Sequence, residues 1–142
     1  MSIYAEKPWL SLYDPDPPAE ISLEFTDALS MFRASVSRNP DGDIIRYFGG
    51  RITARELDEL SDAFAVALAS LGVRAGDRVA LYLQNVPQFV IAMLATWKAG
   101  GIAVPVNPMN RARELEAILL DSGARVLVCL EGLHRDAGNS GA

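Results

Sequence analysis

Few side chains in this sequence could carry chemistry, and their spacing assigns most of them to other work. His134 is the only histidine, so a Ser-His-Asp or Cys-His arrangement, or a multi-histidine metal site, has nothing further to build on. Cys129 is the only cysteine and lies in the apolar run VLVCL. That setting suits a packed thiol better than a nucleophile, and one cysteine excludes an internal disulfide and a cysteine-cluster metal site. Asp58, Glu59 and Asp62 crowd one segment. At i and i+4, Asp58 and Asp62 share a helix face opposite the apolar one, so they read as a solvated surface. Paired carboxylates doing acid–base work would need burial to separate their pKa values. There is no G-x-x-x-x-G-K-[ST] loop and no G-x-G-x-x-G after a strand. Gly49-Gly50 and Gly100-Gly101 sit at a hairpin and at a helix end, and neither spacing cradles a phosphate. The residues themselves therefore name no catalytic, cofactor-binding or metal-binding side chain.

The elements around them are clearer. Residues 79–83 (VALYL) and 102–106 (IAVPV) are short apolar runs of strand formers. Between them Asn85 is a good N-cap and Pro87 suits a first helical turn. Phe89, Val90, Met93, Leu94 and Trp97 recur at helical spacing until Gly100-Gly101 ends the helix. This is a βαβ unit, which joins parallel strands and calls for helices packed against the sheet.

Before it, residues 23–37 place Phe25, Leu29, Phe32 and Val36 on one helical stripe, stopped by the run NPDG. Residues 44–48 and 51–53 flank Gly49-Gly50 as a tight hairpin. Thr53 opens the next helix with Glu56 completing a capping box, and Leu57, Leu60, Phe64, Ala67, Leu68 and Leu71 form its expected buried face. After the βαβ unit come a turn at 107–110, a helix over 112–122 with Leu115, Ile118 and Leu119 on one face, and a strand over 125–130. The fold class is α/β: a layered, mostly parallel sheet with flanking helices and an N-terminal β-hairpin. Residues 1–22, with their Pro-rich run, are expected to form an extended arm laid along a surface, 23–130 one domain, and 131–142 a disordered tail that leaves the domain looking cut short.

At 142 residues the chain can build one core. A net charge of −5 and a pI near 4.8 speak against a nucleic-acid partner. The longest apolar stretch, 89–97, is too short to span a bilayer, and 1–7 has no apolar signal region. The expected location is cytoplasmic, with peripheral attachment to a membrane left open.

Residues 52–128 resemble the N-terminal part of the AMP-forming acyl-CoA synthetases, the adenylate-forming superfamily. ITAREL, 52–57, is similar to a core motif of the form L-T-Y-x-E-L, with Ala54 in place of the aromatic residue. WKAGGIAVPVN, 97–107, is similar to a second motif, L-K-A-G-x-x-x-V-P-x-N. The resemblance is closest to long-chain fatty-acid–CoA ligases, whose arm looks like KPWL at 7–10 with Tyr13 and PAEI at 18–21. Their N-P-L-Y-T-x-R-E-L segment is similar to 107–115, where Asn110 and Arg111 depart from the usual Tyr-Thr.

What the resemblance implies is a partial N-terminal subdomain of the adenylate-forming fold. The parent reaction forms an acyl-adenylate from a fatty acid and Mg-ATP, and coenzyme A then displaces AMP. The family's phosphate loop, adenine segment, ribose-holding Asp and C-terminal lysine have no counterpart in these residues, so no site residue and no bound cofactor carries over. The reading is a fragmentary long-chain fatty-acid–CoA ligase, inactive alone, partnered by the missing remainder of the ligase or by itself. The alternatives are a non-catalytic accessory or interaction domain and a small acyl- or nucleotide-binding module.

Overall fold

The computed structural model describes residues 2–14 and 20–131. In chain order the elements are α1 (Ile3–Glu6), a 3-10 turn (Pro8–Leu12), α2 (Ala28–Arg38), β1 (Asp43–Tyr47), β2 (Gly50–Thr53), α3 (Ala54–Ser70), β3 (Arg78–Tyr82), α4 (Pro87–Lys98), β4 (Ile102–Val106), α5 (Ala112–Ser122) and β5 (Val126–Cys129). The hairpin is a separate two-stranded antiparallel sheet, and the parallel sheet runs β4-β3-β5.

β3 is central because its side chains are apolar on both faces. Val79, Leu81 and Leu83 pack with Leu68, Ala92 and Ala95 beneath α3 and α4. Ala80 and Tyr82 pack on the other side with Val106, Leu115 and Leu119 beneath α5. The chain moves from β3 to β4 in one direction, then back across β3 to β5. Right-handed crossovers in opposite directions require α4 and α5 on opposite faces. A third cluster, Phe32, Leu57 and Leu94 with Ile45 and Ile52 against it, fastens α2 and the hairpin to the helical layer.

Caps decide most boundaries. Thr53 Oγ1 accepts from Glu56 N at 3.2 Å and Glu56 Oε2 accepts from Thr53 N at 2.8 Å, the expected capping box. α2 begins at Ala28 rather than at 23, because Asp27 Oδ1 accepts from Ser30 N at 2.7 Å and Ser30 Oγ from Asp27 N at 3.3 Å. Phe25 therefore lies before the helix. The hairpin turn is Phe48-Gly49, with φ of 45° and 82°, and Gly50 already pairs with Tyr47. Of the face expected to be buried, Leu60 and Ala67 on α3 and Leu71 at its C-cap are exposed, while Ser61 is buried. Ser61 Oγ donates to Leu57 O at 2.7 Å, which lets a small polar residue lie in the helix-packing seam.

The arm is not extended where it is described. Ser2 Oγ accepts from Tyr4 N at 3.3 Å to start α1, Pro8 opens the 3-10 turn, and the Tyr4 and Trp9 rings lie 6.0 Å apart. The proline run at 15–19, the tail from 132 and His134 lie outside the described residues.

Candidate functional site

In an open α/β sheet, a crevice opens at the carboxyl ends of adjacent strands whose following helices depart to opposite faces. β3 and β4 meet that condition. Their ends border a cavity of about 470 Å3, with Gln84, Asn85 and Phe89 on the β3 side and Asn107, Pro108 and Met109 on the β4 side.

Local hydrogen bonding shapes both rims. Val86, not Asn85, is the N-cap residue of α4, with Pro87 at its start. Asn85 is thereby left in the crevice wall. On the opposite rim Asn107 Oδ1 accepts from Met109 N at 2.9 Å and its carbonyl accepts from Asn110 N at 3.0 Å. Tyr82, buried on β3, donates its hydroxyl to the Asn110 carbonyl at 2.5 Å, and Arg111 N donates to Glu114 Oε2 at 2.6 Å. Asn110 and Arg111 thus act through their backbones, which explains how their side chains can depart from the family's pattern.

The lining residues are apolar groups and neutral amides. They suit an uncharged amphipathic ligand segment. They do not fit a triphosphate, which needs cations or a nest of N–H groups, or Mg2+, which needs carboxylate oxygens.

The ionisable side chains are engaged elsewhere. Lys98 Nζ donates to Asp58 Oδ1 and Asp62 Oδ1, each at 2.6 Å, and to Asp58 O at 2.8 Å. It also lies 5.7 Å from the centroid of the Phe32 ring. The Lys98 side chain is 5% exposed, against 34% for Asp58 and 65% for Asp62. Asp62 keeps the solvated position expected of it, while Asp58 is half-buried, and through Lys98 the i, i+4 pair also clamps α3 to the end of α4. Glu59 stays exposed beside Leu60 in a shallow groove behind the hairpin.

Asp27, Glu56 and Asp77 are held below the usual carboxylate range. The largest cause is a backbone N–H donated to each, by Ser30, Thr53 and Arg74 respectively; the Arg125 guanidinium adds to the effect at Asp77. Cys129, half-buried on β5, has its thiol pushed up by burial, which disfavours the nucleophilic thiolate.

The WKAGG segment explains itself structurally. Gly100 turns the chain at φ 76°, and a Cβ on Gly101 would lie 3.1 Å from both Asp77 O and Thr96 Cγ2. Gly76 N donates to Gly100 O and Ile102 N to Asp77 O, at 2.9 and 2.8 Å, which joins the loop before β3 to the one before β4. Among the described residues no helix is long and apolar enough to cross a membrane.

Comparison with known proteins agrees with this architecture. Residues 32–141 match the model of the AMP-binding enzyme family. Over 125 residues the chain is 42% identical to a long-chain-fatty-acid–CoA ligase of Escherichia coli O157:H7, covering 87% of this chain and 22% of that one. A ligase of the same description from Bacillus subtilis is 37% identical over 94% of the chain and 24% of its own length. The N-terminal subdomain of Klebsiella oxytoca NpsA superposes with a TM-score of 0.71 at 32% identity, over 75% of this chain and 28% of that one. A benzoate CoA ligase from Burkholderia xenovorans shares the fold, with a TM-score of 0.76 at 22% identity over 82% of this chain and 24% of that one. The chain spans less than a quarter of the length of the ligases it matches. With residues 32–141 matched by the family model and the NpsA N-terminal subdomain superposing on it, this chain belongs to the AMP-binding enzyme family and has the fold of the N-terminal subdomain of adenylate-forming enzymes.

Proposed function

We propose that these residues serve as the N-terminal α/β layer of a long-chain fatty-acid–CoA ligase, in the cytoplasm, and do not make acyl-CoA alone. The parent reaction consumes ATP, a fatty acid and coenzyme A and yields acyl-CoA, AMP and pyrophosphate. The observation that carries the reading is the 42% identity over 87% of this chain to a ligase of which those residues are only 22%. The chemistry of the residues supports it. Lys98 is spent on the α3–α4 clamp and Asp27, Glu56 and Asp77 on caps and turns, while the crevice between β3 and β4 offers amides and apolar groups but no charge. Positioning and charge stabilisation on phosphates, the main demands of adenylation, then fall to residues beyond these.

β4 and β5 each pair on one side among the described residues. In this reading the remainder of the ligase covers those edges, and without it the chain self-associates through them. The test is fatty-acid-dependent ATP–pyrophosphate exchange with the purified chain. The expected result is no exchange above buffer, and exchange that tracks the chain through purification contradicts the proposal. The crevice of about 470 Å3 favours one second reading, a small acyl-binding module. Saturable binding of labelled fatty acid by the chain, lost on Phe89→Asp, would select it.

A further inference from the structure

The β1–β2 hairpin carries features its fold does not need. Its two-residue turn requires positive φ at both central positions, where Asn and Gly are favoured. Gly49 meets that demand, but the other position is Phe48 at φ 45°, a strained conformation for a bulky residue. The Phe48 side chain buries little in return: the residue is 94% exposed, in edge contact with the Tyr47 ring at 4.7 Å. Strain kept at an exposed aromatic tip points to use of that tip.

The strands add charge. Arg46 and Arg51 are register partners across the antiparallel pair, a like-charge opposition that weakens a hairpin. Asp43 offsets them incompletely, at 3.0 Å from Arg46 and 3.8 Å from Arg51, and the two Arg side chains remain 81% and 75% exposed. From 44 to 53 these arginines are the only charged residues. Together with Asp43, Tyr47 and Phe48 they border a shallow concavity of about 420 Å3. Behind the hairpin, Glu56 and Glu59 line a groove with Arg51, and Glu56 is tied to Thr53.

We propose that this hairpin tip docks on an anionic phospholipid surface, with Phe48 entering the boundary between headgroups and acyl chains while Arg46 and Arg51 take phosphate oxygens. Exposed aromatic rings are suited to that boundary, and guanidinium groups pair with phosphate in a fixed fork. A free phosphate would use the two arginines and leave Phe48 without a role. A protein partner would need roughly 800 Å2 on each side, more than a convex two-residue tip presents. A bilayer needs neither a large complementary face nor a deep pocket.

The experiment is co-flotation of the protein with vesicles of phosphatidylcholine, and of phosphatidylcholine mixed with phosphatidylglycerol. Binding to the mixed vesicles is expected, reduced by salt. Arg46→Gln with Arg51→Gln weakens it at least about fivefold. Phe48→Gly also weakens binding while raising the melting temperature, because glycine accepts the turn without strain. That opposition distinguishes a docking residue from a packing one. The arginine pair is judged separately, so a fold lost through Phe48→Gly would not decide the matter. The proposal is overturned if the protein does not float, if neutral and anionic vesicles bind equally, or if both variants bind like the parent. Full competition by inorganic phosphate with Phe48→Gly unchanged would assign the arginines to a soluble anion and also overturn it.

Discussion

Lys98 grips Asp58 twice, donating at 2.6 Å to its carboxylate and at 2.8 Å to its main-chain carbonyl. One ammonium thus caps a side chain and holds the backbone of α3 against α4. Lys98→Ala leaves Asp58 and Asp62 facing each other without their cation, and a loss of about 2–3 kcal/mol is expected. Lys98→Met keeps the aliphatic stem in its packed position and loses less. Asp62→Asn, at a side chain 65% exposed, costs under about 1 kcal/mol. Urea unfolding at neutral pH checks the order, and equal losses for Lys98→Ala and Asp62→Asn contradict the clamp.

At Gly101 the constraint is steric. A Cβ there meets Asp77 O and Thr96 Cγ2 at 3.1 Å and Thr96 O at 3.2 Å, and two of those atoms are backbone. Gly101→Ala should cost about 1–3 kcal/mol. Gly49→Ala, in open space but at φ 82°, isolates the conformational cost, about 1–2 kcal/mol. Thermal melts of the two variants separate crowding from backbone strain.

Removing the Tyr82 hydroxyl tests how the crevice rim is held. Tyr82→Phe deletes the donor to the Asn110 carbonyl and costs about 1 kcal/mol. Faster amide hydrogen exchange confined to residues 107–111 is the expected signature. Unchanged exchange there would mean the Asn107 turn sets the rim without help from β3.

Acid should loosen the caps. Asp27, Glu56 and Asp77 have folded-state pKa values below their ordinary ones, so their contribution is present above the unfolded values and is lost as pH falls through the folded ones. The loss therefore begins as pH falls through about 4.5 for Glu56 and about 4 for the two aspartates. Glu56→Gln should be less stable than the parent at neutral pH and show a shallower decline on acidification. Parallel declines for the two proteins would mean that the Glu56 carboxylate contributes no stability that acid removes.

Boundaries written into side chains could be read in advance, as with Thr53 and Glu56 or Gly100. The apolar stripe beginning at Phe25 competes with the Asp27–Ser30 box, and the local hydrogen bonds prevail. Leu60 fits helical spacing as well as Ser61 does, and the seam under α4 selects the smaller residue. The Lys98 clamp was hidden because its partners lie 36 and 40 residues away. The crevice depends on strand order, β4-β3-β5, which short-range spacing does not encode. Asn85 and Asn107 stood at its rims as apparent cap and turn residues.

If these residues do the structural work of a ligase's N-terminal layer, they can stand in for that layer in a relative. The direct measurement replaces the matched 125 residues of the Escherichia coli long-chain-fatty-acid–CoA ligase with this chain's own and assays acyl-CoA formation by mass spectrometry. Acyl-CoA is expected from the chimera and none from this chain alone. A chimera that melts cooperatively yet forms no acyl-CoA, or acyl-CoA from the chain by itself, would contradict that role.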